Sequence, residues 1–546
     1  MSAPTPPDPS TLPDEPKPQL SPWRVLTALL VLLAIGGGVF FVVRDVAETT
    51  PAKAQSAAAR GPWFAPYVDV TLTPTVAFQD RASNPSRNVV LGFVVAGRGA
   101  DEACTPTWGT YETLDGAATS IDLDRRVAQL RGQGGDAVVS FGGQANRELA
   151  IACEDQDRLQ AAYSATIDRY DADTVDFDVE GAALADEPAN VRRALAVKAI
   201  QDDARAARRS LAVWLTLPVT PDGLNPDALA VVDAMLDARV DLAGVNVMAM
   251  DFGVPSAAKD MRAAILSSVD ATRKQLSVVY ARAGAALNSE HLWRKVGVTV
   301  MIGQNDVRAE RVTVSDARAV ADYALEHGVG RVSTWSLNRD QQCGVTFAVT
   351  GTLSNTCSGV VQRPLQFTRL FNGALRGSVR ATSAAVTTSD LTPETTTATT
   401  DDPARSPYPI WQPDQAYREG YKVVWHQAVY VAKWFSQGQT PDAENTPAGE
   451  SPWRLVGPVL RTDRAPVIPK LPAGTYPAWS PAGVFRAGAK VLYRGLPYQA
   501  QWWTQGDVPG EPAANGTISP WRPLYRVPGE PVAAPDPASA PDRAGG

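Results

Sequence analysis

Between residues 65 and 370, short apolar runs alternate with amphipathic stretches, and that alternation restricts the fold more than any other feature. The runs are YVDVTLT (67–73), NVVLGFVVA (88–96), DAVVSFGG (136–143), TVDFDVEG (174–181), LAVWLTLP (211–218), GVNVMAMDF (244–252), VGVTVMIG (296–303) and GRVSTWSL (330–337). Stretches such as LDRRVAQLRGQG, DRLQAAYSATIDRY and NPDALAVVDAMLDARV lie between them with helical spacing. Strands separated by helices pair in parallel. Eight such units in about 300 residues predict an α/β fold closed as a (β/α)8 barrel; an open doubly wound sheet is the other arrangement. Polar or unusual residues gather at the carboxyl ends of the runs: Glu180, Asp251, Gln304 to Asp306, and Trp335. A barrel builds its functional site at that end.

The run DTVDFDVEG carries Asp176, Asp178 and Glu180 at every second position, with Val175, Phe177 and Val179 between them. A strand therefore turns the three carboxyls to one face and the apolar side chains to the other. Carboxylates two positions apart stand about 6.5 Å from each other and repel by about 2.5 kcal/mol at an effective dielectric near 20. Three ionised together in a barrel mouth are unfavourable, so one or more must hold a proton. The repulsion is expected to keep Glu180 protonated, with the two aspartates sharing the proton that returns. A neutral carboxylic acid near pH 7 can protonate a leaving oxygen. Calcium fits poorly, because side chains along a straight strand do not wrap an ion.

The remainder of the 546 residues predicts further domains. Residues 25–43, VLTALLVLLAIGGGVFFVV, are 19 apolar positions bracketed by Arg24 and Arg44, long enough for a transmembrane helix. The expectation is a signal anchor behind a disordered cytoplasmic tail (1–24), then a juxtamembrane linker (44–64) and an extracellular remainder; a cleaved signal peptide is the rival. The net charge of −7 makes nucleic acid an improbable partner, and no obligate protein partner is evident. His291, His327 and His426 are scattered without zinc spacing, so no metal and no cofactor are expected. Four cysteines in an exported chain predict disulfides, Cys104 with Cys153 and Cys343 with Cys357, against free thiols.

A Thr/Ser/Pro-rich stretch, 377–407, predicts a mobile linker. Beyond it WQPDQAYREGYKVVWHQAVYVAKWFSQGQTP (411–441) matches WSPAGVFRAGAKVLYRGLPYQAQWWTQGDVP (479–509) at an offset of 68. Two small all-β modules are expected, 408–457 and 476–525, joined by a linker (458–475) and followed by a disordered tail (526–546).

Asp173, Asp176, Asp178 and Glu180 match the DxxDxDxE signature of glycoside hydrolase family 18, which this region resembles. Ser140, Gly142 and Gly143 match its SxGG motif; Met248 and Asp251 in VNVMAMDF and Trp335 in STWSLNRD match later strands. MIGQND and WSLNRD resemble a bacterial chitinase type, over about residues 65 to 365. The resemblance implies a retaining, substrate-assisted glycosidase in which the N-acetyl oxygen of the substrate is the nucleophile. Glu180 would be acid and then base, Asp178 would orient the acetamide, and Asp176 would hold the proton that lets Asp178 swing. Asp173, Ser140, Gly142, Gly143, Met248, Asp251, Gln304 and Trp335 would bind substrate, the glycines by allowing close approach. Met248 and Met250 also read as plain core. Many members hold the acetamide with a Tyr hydroxyl where this chain has Met250, and Phe252 supplies none. Asn246 and Gln304 are the alternative donors.

The repeats AKWFSQG (432–438) and AQWWTQG (500–506) resemble carbohydrate-binding families 5 and 12. Trp411, Trp434, Phe435, Trp479, Trp502 and Trp503 are the candidate chitin contacts, with one of each adjacent pair expected in the core. The resemblances together imply an exported chitinase acting on chitin. A catalytically silent glycan binder and an endo-β-N-acetylglucosaminidase on glycoproteins are the alternatives.

Overall fold

The computed structural model describes residues 61–344, 348–379, 400–442, 451–468, 470–511 and 519–531. The apolar segment 25–43 lies outside the described residues, as do the tail before it and most of the stretch after it. Among the described residues no helix is long and apolar enough to cross a membrane.

Among the described residues, thirteen strands lie between 61 and 335: β1 (Trp63–Phe64), β2 (Tyr67–Asp69), β3 (Asn88–Ala96), β4 (Pro106–Trp108), β5 (Glu112–Thr113), β6 (Asp136–Gly142), β7 (Thr174–Asp178), β8 (Ala212–Pro218), β9 (Leu242–Met248), β10 (Val296–Met301), β11 (Gly303–Gln304), β12 (Arg311–Val312) and β13 (Arg331–Trp335). β3, β6, β7, β8, β9, β10 and β13 pair in parallel and in chain order. The stretch 63–69 closes the sheet. Trp63 and Phe64 pair with Arg331 and Val332 on one side, and Tyr67 to Asp69 pair with Val90 to Gly92 on the other. Pro66 lies where the pairing changes sides; it has no N–H to offer, and its carbonyl accepts from Val90 N–H at 2.9 Å. An open doubly wound sheet has no such closure. β4 and β5 append an antiparallel edge to β3.

The helices start on polar caps just beyond the strand ends. Asp155, Asp186, Asn225 and Asp260 each accept from a backbone N–H in the first turn that follows, and Thr313 and Asp316 form a reciprocal capping box. Each cap contributes about 1 kcal/mol and fixes where a strand-to-helix loop ends. Strand parity divides the core. Val175, Phe177 and Val179 face the helices, where Phe177 stacks on Phe141 with ring centroids 5.1 Å apart. The lumen holds Trp63, Tyr67, Val90, Val138 and Trp214, the two tryptophans meeting edge to face at 5.9 Å.

The sequence repeat is a structural repeat. Antiparallel sheets Lys422–Trp425, Ala428–Ala432 and Trp453–Pro458 recur as Lys490–Tyr493, Leu496–Ala500 and Trp521–Pro523. Strand starts 422 and 490, 428 and 496, and 453 and 521 all differ by 68. Both expected disulfides are formed, Cys104–Cys153 and Cys343–Cys357.

Part of the expected linker is packed rather than mobile. Ser406 is buried, Tyr408 donates to Asp122 on the barrel at 2.6 Å, and Leu460 packs on Ala128. The chain after the second module is also engaged at its start, where Gly529 O accepts from Lys422 N–H at 2.8 Å. Residues 380–399 and 532–546 lie outside the described residues.

Candidate active site

β7 sends Asp176, Asp178 and Glu180 into the lumen as a gradient of burial. Asp176 is fully enclosed, Asp178 is 4% exposed, and Glu180, two residues beyond the strand end, is partly open. Glu180 keeps an extended backbone (φ −133, ψ 165) and leads into the short turn Gly181–Ala185, so the alternation continues past the last ladder bond.

Asp176 is held on both oxygens. Oδ1 accepts from Thr216 Oγ1 and Arg331 Nη1, each at 2.6 Å. Oδ2 accepts from Ser140 Oγ at 2.7 Å and Tyr67 OH at 2.8 Å. Arg331 is itself enclosed, over the rings of Trp63, Tyr67 and Trp214 at 5.4 to 5.6 Å, and its Nη2 donates to Tyr67 OH at 3.0 Å. Asn246 Nδ2 completes the floor by donating to Thr216 Oγ1 at 2.9 Å and Thr299 Oγ1 at 2.7 Å. Thr216, Arg331 and Tyr67 thus each have a second contact that orients them on Asp176. A guanidinium and three hydroxyl donors thus occupy the two oxygens of Asp176, the carboxyl on which the returning proton was expected.

The other two carboxyls are raised. Burial pushes Asp178 well above the ordinary range, and the charges of Glu180 and Asp176 add to it. Burial raises Glu180 from 4.5 to about 7. Repulsion was expected to protonate Glu180; burial does so, while the repulsion bears on Asp178. A hydrogen bond joins Asp178 and Glu180, and it favours the proton on Asp178. Asp178 Oδ1 is buried with no hydrogen-bond partner, an acceptor left for something that enters the lumen.

Other expected site residues fall into place differently. Ser140 reaches Asp176 and acts through it. Gly142 and Gly143 have φ of +100 and +84, and their close approach is to the protein itself. A Cβ on Gly142 would lie 2.1 Å from Asp178 O, and one on Gly143 would lie 2.8 Å from the Phe93 ring. Trp335 ends β13, half-buried, stacked on Phe93 at 5.7 Å and 22°. Asp251, at φ +49, accepts from Val307 N–H at 2.9 Å through Oδ1, its own N–H meets Asn305 Oδ1 at 3.4 Å, and burial raises its carboxyl. Asn305 and Asp306 do not cap the next helix; Thr313 does. Met248 and Met250 are half-buried at the end of β9.

Two residues are corrected outright. Gln304 turns into its own loop: Nε2 donates to the carbonyls of Asn305, Arg308 and Glu310, each at 3.1 Å, and Oε1 accepts from Arg311 Nη2 at 3.0 Å. Asp173 stands ahead of β7, roughly 23 Å of strand from Glu180 and at the opposite parity. The alternative acetamide donors are both occupied, Gln304 by its loop and Asn246 by Thr216 and Thr299.

Sequence reasoning missed Tyr67, Phe93, Thr216 and Arg331. Parity held the clue to Arg331: Arg331, Ser333 and Trp335 alternate on one strand, so the arginine shares the inward face with the tryptophan.

In the modules, Trp434 (43%), Phe435 (63%), Trp502 (46%) and Trp503 (59%) are all exposed. One of each pair was expected inside, but both pairs sit in the bend between strands, where alternation does not operate. Trp411 is buried and meets Trp425 edge to face at 4.9 Å, and Trp479 is half-buried against Tyr493 at 5.1 Å, so both are packing residues.

Residues 478–522 match the carbohydrate-binding module family 5/12. A probable bifunctional chitinase/lysozyme of Escherichia coli strain K12 is 34% identical over 293 residues, 52% of this chain and 32% of that protein. Endochitinase 11 of Metarhizium anisopliae is 32% identical over 291 residues, 52% of this chain and 53% of that protein. The catalytic domain of a hyperthermophilic chitinase from Pyrococcus furiosus is 25% identical, with a TM-score of 0.49 over 57% of this chain and 96% of that one. The chain thus spans about a third and about half of the two curated relatives. Over its first part it is similar to these chitinases, and near its carboxyl end it carries a carbohydrate-binding module.

Proposed function

We propose that this chain is a chitinase, built as a (β/α)8 barrel with two chitin-binding modules, that hydrolyses β-1,4-linked N-acetylglucosamine polymers with retention. The observation that carries it is the split along β7. Asp176 is tied to Arg331, while Asp178 and Glu180 are buried, hydrogen-bonded to each other and raised, Glu180 to about 7. A carboxyl half-protonated at neutral pH donates to a leaving oxygen and later accepts from water. The partnerless Asp178 Oδ1 suits the N–H of an acetamido group, positioning its carbonyl oxygen to attack the anomeric carbon. Asp178 then stabilises the positive charge that develops on the acetamide, and no second nucleophilic carboxylate is required. Trp335, stacked on Phe93, offers a flat apolar floor for a pyranose ring.

Export and anchoring form the second part of the proposal, supported by the 19 apolar residues 25–43 and by two disulfides. Incubation of the purified chain with chitin oligomers and with an N-glycoprotein tests the activity. Product from the oligomers alone, lost in Glu180→Gln, is expected. Product only from the glycoprotein, or unchanged hydrolysis by Glu180→Gln, would overturn it.

A further inference from the structure

The seam between the barrel and the first module holds a cavity of about 380 Å³ that the carboxyl cluster does not use. Its walls come from the helix Leu123–Gly132, the module strand Trp453–Pro458 and the segment that follows the second module. Ion pairs frame it. Arg125 Nη1 lies 2.8 Å from Asp463 Oδ2, Lys422 meets Asp122, and Arg418 Nη2 lies 3.3 Å from Glu530 Oε1. These contacts occupy Asp122, Asp463 and Glu530.

Among the described residues three guanidiniums that line the cavity, those of Arg126, Arg454 and Arg526, form no ion pair; Asp122 acts on Arg126 only through space, and Arg126 and Arg454 also carry buried donors. Arg126 is buried, its plane 4.3 Å above the Phe78 ring. Its Nε donates to Gln79 Oε1 at 3.0 Å and its Nη2 to Val76 O, but Nη1 is buried with no partner. From the module side, Arg454 brings a buried Nε that also lacks a partner, and Ser120 Oγ beside them is likewise unsatisfied. Among the described residues no carboxylate comes within 4.0 Å of either guanidinium. Asp80 acts on Arg454 only through space, and it already accepts from Ala82 N–H and Ser83 Oγ. Burial, with Arg454 adding, lowers Arg126 to about 9, so it stays charged at neutral pH. Two guanidiniums on one cavity, each with a buried N–H that lacks a partner, are costly unless an anion joins them.

We infer that the cavity binds a small tetrahedral oxyanion of the phosphate or sulfate type, held by Arg126 Nη1, Arg454 and Ser120 Oγ. The ion fastens the first module to the barrel. Guanidinium N–H donors and a hydroxyl fit such an ion in charge, and the volume admits it with a few waters.

Titration calorimetry of inorganic phosphate into the full chain tests this at constant ionic strength, with chloride as the balancing anion. Saturable binding at one site per chain is expected, with affinity at least tenfold lower in Arg454→Met and weaker also in Ser120→Ala. Arg454 is partly exposed, so its replacement leaves the fold intact. A parallel titration with sulfate is expected to compete for the same site. Absence of saturable heat, or equal affinity in the wild type and both variants, would overturn the inference.

Discussion

Arg331 Nη1 stands 2.6 Å from Asp176 Oδ1, and both side chains are completely enclosed. The pair joins the last barrel strand to the acid strand across the lumen, so it serves both packing and chemistry. Removing the guanidinium leaves a buried carboxylate with three hydroxyl donors and no counter-charge. Arg331→Met is expected to lose about 3–5 kcal/mol of stability. Chemical denaturation checks this, and a loss under about 1 kcal/mol would show that the hydroxyls alone hold the carboxyl.

The raised Glu180 predicts a pH signature in rate. Glu180 acts as an acid in its protonated form, which declines as pH rises through about 7. On the proposed function, kcat/KM for a chitin oligomer should fall on the alkaline side with a midpoint near 7. Glu180→Gln should cost about 10²–10⁴-fold and flatten that limb. An alkaline limb that persists in the variant would assign the titration elsewhere.

The same shift predicts a pH signature in stability. Glu180 rises from 4.5 to about 7 on folding, so its contribution is fully present below 4.5 and is lost as pH climbs through 7. That rise corresponds to on the order of 3 kcal/mol once the group is ionised. Glu180→Gln should therefore melt higher than the wild type at pH 8 and gain nothing at pH 4. An equal shift at both pH values would rule out burial of the charge as the cause.

Gly142 offers a backbone test. Its φ is +100, and an added Cβ would lie 2.1 Å from the Asp178 carbonyl, an atom of the neighbouring strand that cannot turn away. Gly142→Ala should destabilise by about 1–3 kcal/mol and displace Asp178, lowering kcat more than it raises KM. Gly134→Ala is the control, since φ is +75 there too but nothing lies within 4 Å of the added atom.

The sequence carried the barrel because period-2 and period-3.6 patterns are local. β7 reads inward at 176, 178 and 180 from its residues alone, and the 68-residue repeat maps strand for strand onto the two modules. What was not legible depends on partners distant in the chain. The contacts that hold Asp176 could not be recognised without Arg331, 155 residues away, or Tyr67, 109 residues away. Gln304 and Asn246 looked like free donors because their acceptors, loop carbonyls and threonine hydroxyls, declare themselves only in three dimensions. The adjacent aromatics were misread for a different reason: strand alternation was applied to Trp434 and Phe435, which occupy a bend.

That bend yields the last prediction. Trp434, Phe435, Trp502 and Trp503 leave large apolar faces in water, while Trp411, Tyr417 and Trp453 pack into the module core. Lys433 Nζ lies 4.6 Å from the centroid of the Trp434 ring, which helps to hold that ring in its outward orientation. Replacing Trp434 and Phe435 by Ala should change stability by less than about 0.5 kcal/mol, because little is buried there. Trp411→Ala should cost about 3–5 kcal/mol, because it empties a core. If the exposed faces stack on sugar rings, removing one pair should weaken retention on insoluble chitin. Removing both pairs should weaken it far more, since two linked modules act through effective concentration. Hydrolysis of short soluble oligomers should stay unchanged in every one of these surface variants. A pull-down on chitin beads alongside a soluble-oligomer assay separates the effects, and unaltered retention in the four-residue variant would remove these aromatics from the binding surface.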